Sequence, residues 1–214
     1  MRIKICGITR IEDALMAGNL GAWAVGFIFA PSSSRRLSPE KAREISECVK
    51  RHYPDILKIG VFLDQPEEFI FSVAGLCNLD GIQFHGKESP EFVERFGGML
   101  KIKAFTVDRS LSFRDIISRV NSYRDCIPLL DLPKGRDISQ DVLIDIATEL
   151  KNSGVNFVIA GGIDSTNIYS FLKLKPFAID ISRGVEISPG IKDGVKMKEL
   201  FSLVKGDDTD VQLS

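Results

Sequence analysis

The chain of 214 residues alternates along its length between short apolar runs of strand character and longer stretches with a helical rhythm. The apolar runs fall at residues 2–8, 23–29, 57–63, 81–85, 100–107, 126–132, 156–162 and 177–182. Helix starts are written between them. In Ser38-Pro39-Glu40-Lys41 a hydroxyl N-cap precedes proline at the first helical position and an early acid, and Ile45 and Val49 then recur at helical spacing. Ser89-Pro90-Glu91 repeats the device ahead of Phe92 and Phe96, and Asp164-Ser165-Thr166 is expected to cap a helix carrying Ile168, Phe171 and Leu172. Strict alternation of strand and helix predicts parallel pairing, because each crossover returns the chain to the same end of the sheet. Eight such units predict an α/β protein, a single (β/α)8 TIM barrel with eight parallel strands. An open dinucleotide-binding sheet would carry a glycine fingerprint after its first strand, and Cys6-Gly7-Ile8-Thr9 lacks the second and third glycines.

Side-chain alternation then assigns faces. Ile3 and Ile5 are expected to face the helices, with Lys4 and Cys6 turned to the barrel axis. Ile82 and Phe84 point outward and Gln83 and His85 inward; Ile102 and Ala104 point outward and Lys101 and Lys103 inward. So polar an axis implies a solvated site, since buried polar groups need partners.

Composition changes this picture only by exclusion. An apolar fraction of 44% and a charged fraction of 27% are ordinary for a folded protein, and a net charge of -1 gives no reason to expect nucleic acid as a partner. No run approaches the roughly 18 apolar residues of a membrane span, and the N-terminus reads as a strand, not a signal peptide. Cys6, Cys48, Cys77 and Cys126 are widely spaced, and His52 and His85 add no ligand cluster, so neither a metal nor another cofactor is expected. Reduced thiols point to the cytoplasm. Residues 1–205 are expected to form the barrel and 206–214 a solvated, flexible tail, in a monomer or homodimer.

Barrel enzymes place their sites at the C-terminal ends of the strands, which turns position into candidacy. Cys6, His85, Asp131 and Asp180 end or nearly end the first, fourth, sixth and eighth runs. A strand cysteine is ordinarily a small buried hydrophobe, but Lys4 stands two residues back on the same face, and a nearby ammonium favours thiolate. Asp131, at the rim of an apolar run, either caps the next turn or donates a proton. Asp180 either pairs with Lys4 or Lys103 or contacts substrate. Ala160-Gly161-Gly162 and Ser182-Arg183-Gly184 end the seventh and eighth runs, where this fold binds phosphate through close-lying backbone amides, so a small phosphorylated molecule is the expected partner. Ser32-Ser33-Ser34-Arg35-Arg36 follows the second run; it is either a solvated loop or holds an arginine that clamps a carboxylate.

In order along the chain, Lys4-Ile5-Cys6-Gly7-Ile8-Thr9, Gly26-Phe27-Ile28-Phe29 with Ser34-Arg35, Gln83-Phe84-His85-Gly86, Leu130-Asp131, Ala160-Gly161-Gly162-Ile163, Asp180-Ile181-Ser182 with Gly184-Val185-Glu186, and Pro189-Gly190-Ile191-Lys192-Asp193 resemble the phosphoribosylanthranilate isomerase family. The resemblance spans nearly the whole chain. It implies a cofactor-free Amadori rearrangement of N-(5-phosphoribosyl)anthranilate in tryptophan biosynthesis. Asp131 would be the general acid and Cys6 the general base. Arg35, His85 and Asp180 would bind substrate, with Gly161, Gly162, Ser182 and Arg183 around its phosphate. The chain departs from the family in the short stretch Leu132-Pro133-Lys134-Gly135-Arg136-Asp137 and in Arg183, where a small residue is usual. The rival readings are a barrel acting on another sugar phosphate, which a rim Schiff-base lysine or histidine pair would favour, and a non-catalytic binding barrel, which would need neither Cys6 nor Asp131.

Overall fold

Each apolar run becomes a strand, and the strands close on themselves in chain order. A computed structural model describes residues 1–107, 113–131 and 140–210. Its barrel consists of β1 (Arg2–Cys6), β2 (Ala24–Ile28), β3 (Leu57–Phe62), β4 (Gly81–Phe84), β5 (Leu100–Thr106), β6 (Ile127–Asp131), β7 (Val158–Ile159) and β8 (Ala178–Ile181). All neighbours are parallel, and β8 returns to β1 with Lys4 opposite Asp180 and Ile5 opposite Ile181. The outer layer holds α1 (Ile11–Leu20), α2 (Pro39–His52), α3 (Glu67–Leu76), α4 (Pro90–Glu94), α5 (Phe113–Asn121), α6 (Gln140–Asn152), α7 (Ile168–Leu172) and α8 (Gly194–Asp210). After β8 a 3-10 turn, Arg183–Val185, leads into a small antiparallel hairpin, β9 (Glu186–Ser188) and β10 (Ile191–Lys192). α8 continues through Gly206 to Asp210, into the stretch expected as a tail.

Two serine–proline starts behave as expected: Ser38 accepts from the Lys41 amide at 3.2 Å and Ser89 from the Phe92 amide at 3.3 Å. The third is displaced. Asp164 folds back onto the Thr166 amide and hydroxyl, and Asn167 takes the N-cap position of α7. The large side chains lie between barrel and helices, with Phe27, Phe29, Phe62, Phe84 and Phe96 fully buried, each contributing up to about 3 kcal/mol. The barrel interior is filled by smaller residues, Ala24, Ile59, Ile102, Ala104, Leu129, Val158 and Ala178. Its N-terminal mouth is plugged by Trp23, edge-on to Phe177 at 5.5 Å, with the Arg2 guanidinium over the same ring.

The expected faces hold for β1 and β4 but are reversed in β5. Ile102 is paired with Gln83, so both face the axis, while Lys101 and Lys103 pair with Ile82 and Phe84 and face the helices. Lys103 tolerates this burial because its ammonium reaches the Gly86 carbonyl at 2.6 Å and the Glu88 carboxylate at 2.8 Å. Asp180 accordingly pairs with Lys4, not Lys103.

Candidate active site

With its lower layers filled by apolar side chains, the barrel opens into a pocket at the C-terminal ends of the strands. Cys6, Arg35, His85, Asp131, Gly161, Gly162, Asp180, Ser182 and Arg183 all line one pocket there. The wall from β2 and β3 is apolar, made by Ile28, Ala30, Val61 and Leu63.

On the β1–β8 side, a fully buried Lys4 donates to Asp180 at 2.8 Å and lies close enough to the Cys6 thiol for the two to interact electrostatically. Room for both side chains comes from Gly26 on β2, where a Cβ would lie 2.8 Å from Cys6 Sγ and 3.2 Å from Lys4 Cε. Burial works against the Lys4 ammonium, but Asp180 and Cys6 outweigh it and raise its pKa. Cys6 moves the other way from the sequence expectation. Burial pushes the thiol up and the Asp180 carboxylate adds to the rise, while Lys4 and Lys192 offset only part of it.

On the β4–β6 side, His85 Nε2 lies 3.2 Å from Asp131 Oδ2, and its Nδ1 lies 3.2 Å from Gln83 Nε2. An amide of Gln83 that donates to Nδ1 would leave Nε2 as the ring donor toward Asp131. Gln83 Oε1 and Asp180 Oδ1 are buried acceptors without a partner among the described residues. Both residues line the pocket, and a buried acceptor without a donor marks where a bound molecule or solvent would complete the bonding. The short stretch after Asp131, residues 132–137, lies outside the described residues.

The glycine turn after β7 carries Gly161 and Gly162 at φ 100° and 66°, and their amides bond to no protein acceptor among the described residues. It packs against the turn after β8, because Gly184 abuts the Ile163 carbonyl so closely that a Cβ would overlap it. Arg183 is exposed at the pocket edge and makes no ion pair among the described residues. Arg35 is buried and already engaged: its Nε and Nη2 donate to Glu186 at 2.8 Å and 2.5 Å, leaving Nη1 with only a 3.4 Å contact to Ser34. Arg35 and Lys192 hold the Glu186 carboxyl below its usual range, although burial works against them.

Glu186, Lys192 and Gln83 were not singled out by sequence reasoning. For Gln83 a signal existed, an amide on an inward position beside His85; the other two lie in a hairpin that periodicity does not reveal. The four cysteines are free. Among the described residues no group of three or more His, Cys, Asp and Glu is placed to hold a metal ion, and no helix is long and apolar enough to cross a membrane.

A polar pocket at the C-terminal mouth of a closed eight-strand barrel is the architecture of the (β/α)8-barrel enzymes. Comparison with known proteins narrows that class. The profile of the family described as N-(5'phosphoribosyl)anthranilate (PRA) isomerase matches residues 3–203. The N-(5'-phosphoribosyl)anthranilate isomerase of Thermotoga neapolitana is 36% identical, over 96% of this chain and 99% of its own. The crystal structure of phosphoribosyl anthranilate isomerase from Thermus thermophilus superposes with a TM-score of 0.85 at 38% identity, covering 96% of this chain and 99% of that one. A phosphoribosyl anthranilate isomerase in complex with reduced 1-(o-carboxyphenylamino)-1-deoxyribulose 5-phosphate gives a TM-score of 0.81 at 36% identity, with the same coverage. The chain belongs to the phosphoribosylanthranilate isomerase family, the isomerases of tryptophan biosynthesis.

Proposed function

We propose that this isomerase converts N-(5-phosphoribosyl)anthranilate to 1-(2-carboxyphenylamino)-1-deoxyribulose 5-phosphate with Asp131 as general acid and Cys6 as general base. The observation that carries the reading is that the two groups line one pocket from β1 and β6, with β7 and β8 between them around the barrel. Asp131 gives its proton to the furanose ring oxygen as the bond from that oxygen to C1 breaks, and the amine lone pair forms the iminium. Cys6, as thiolate, takes the proton from C2; the electrons released form the C1–C2 double bond and return the iminium to an amine. The enolamine then tautomerises to the amino-ketone. Hydrogen moves from C2 to C1 overall, so oxidation and reduction balance within the substrate.

The remaining contacts follow from the pocket chemistry. The unpartnered oxygens of Asp180 and Gln83 suit ribose hydroxyls, and His85 orients the Asp131 carboxyl. The amides of Gly161 and Gly162, with Ser182 and Arg183, which have no protein acceptor or ion pair among the described residues, suit the phosphate. Arg35 Nη1 suits the anthranilate carboxylate, with the aromatic ring against Ile28, Ala30, Val61 and Leu63. The test follows loss of substrate fluorescence, with phosphoribosylanthranilate made in situ. Cys6→Ser and Asp131→Asn should each lower kcat by about 10²–10⁴-fold with the thermal transition kept. Near-parental turnover in either variant would remove that residue from its role.

A further inference from the structure

We infer that Lys192 is a positioning residue that holds three corners of the pocket in register: the Cys6 strand end, the Ser182 turn and, through Glu186, the Arg35 guanidinium. The inference rests on the site roles proposed above. An ammonium has three N–H donors, and this one has three acceptors: the Cys6 carbonyl at 2.6 Å, the Ser182 carbonyl at 3.1 Å and Glu186 Oε1 at 2.9 Å. Lys192 is 2% exposed, so no N–H is left for solvent or substrate.

The base of the lysine is fixed as firmly as its tip. Its amide donates to Asp13 Oδ2 at 3.1 Å, and Asp13 is gripped by Arg10 Nη2 at 2.6 Å. β10 sets Lys192 opposite Glu186 on β9. A lysine that merely neutralised Glu186 would need one of these bonds. The other two reach main-chain carbonyls on β1 and just after β8, each belonging to a different working part of the pocket. Relative displacements of about 1 Å among such parts can cost about 10²-fold in rate.

The hairpin also explains how Arg35 is presented. Glu186 occupies the Nε–Nη2 edge of the guanidinium, which fixes its plane and leaves Nη1 outside that pairing, on a residue that lines the pocket. Glu186 therefore acts on one corner, whereas Lys192 acts on all three. Removing the ammonium leaves Glu186 paired with Arg35, so Lys192→Met strands no carboxylate.

Two probes report on two corners as competitive inhibitors: inorganic phosphate for the Ser182 turn and anthranilate for Arg35. Glu186→Gln should weaken inhibition by anthranilate about tenfold and inhibition by phosphate by less than about threefold. Lys192→Met should weaken both inhibitors and lower kcat about tenfold or more. Lys192→Arg, which keeps the charge but offers its donors in one plane, should fall between parent and Lys192→Met. Thermal transitions are recorded for all three. A folded Lys192→Met protein with parental kcat and phosphate inhibition overturns the inference, as does one indistinguishable from Glu186→Gln. Should Lys192→Met not fold, parental values for Lys192→Arg overturn it instead. A fully active Cys6→Ser protein would strike the proposed roles themselves, a result separate from any of these.

Discussion

The two walls that face each other across the pocket are built differently. The β1–β8 wall sets Cys6 among buried charges: Lys4 on Asp180, and Lys192 and Arg35 on Glu186. Its proton-transfer candidate is 6% exposed. On the β4–β6 wall, the Asp131 and His85 side chains remain 23% and 31% exposed and meet in a single 3.2 Å contact. Among the described residues the charged groups of the first wall are paired, apart from Asp180 Oδ1 and the Nη1 edge of Arg35, whereas the second is more open to whatever enters the pocket. The proposed base is thus held by the scaffold in advance, whereas the proposed acid meets one described side chain, His85, and is more exposed. Preorganisation is concentrated where a carbon-bound proton must be reached, the harder of the two transfers.

The largest expected effect is on stability, and it separates the walls directly. Lys4→Met leaves Asp180 buried and uncompensated, and should cost about 3–5 kcal/mol in chemical denaturation. His85→Ala, which breaks the half-exposed pair, should cost about 1 kcal/mol or less. Equal losses would mean that the walls do not differ in the way described. Gly26→Ala comes next. Its Cβ, 2.8 Å from Cys6 Sγ, should cost about 1–3 kcal/mol and lower kcat by displacing the thiol. A variant with parental kcat would show that Cys6 has slack.

Arg35→Ala should raise KM about tenfold, with a smaller change in kcat, because a carboxylate contact is made in both ground and transition states. Exposed Arg36 is the control, and its alanine variant should stay within about twofold. Similar effects from both would reduce the loop to diffuse charge. The finest discrimination is by pH. A base acts only once deprotonated, and the Cys6 pKa is raised by burial and Asp180. The kcat/KM of the enzyme should therefore keep rising beyond the ordinary thiol value of about 8.5. A plateau at lower pH would show the opposite balance, with Lys4 and Lys192 prevailing.

Much of this arrangement was legible before any coordinates. The eight strands announce themselves through β-rich runs separated by capped helices, and the strand-end rule gathers nine distant residues into one pocket. The reversal of β5 was not legible. A barrel strand is buried on both faces, so alternating lysine and apolar residues say that the faces differ without saying which is inside; the deciding partner, Glu88, comes from the loop after β4. The displaced cap of α7 turned on a local competition, in which Asp164 found Thr166 first. The Arg35–Glu186 pair joins residues 151 positions apart, and no periodicity registers such a contact.

The chain has one tryptophan, Trp23, and it sits in the plug at the N-terminal mouth of the barrel, at the opposite end from the pocket. Its indole emission consequently reads the closure of the barrel floor, where Phe177 packs edge-on against it, with the apolar layers between it and the other mouth. Read before substrate is added, it serves as an internal gauge of folding in the cuvette in which turnover is then followed. Each variant above can be sorted into damaged barrel or damaged chemistry without a second sample.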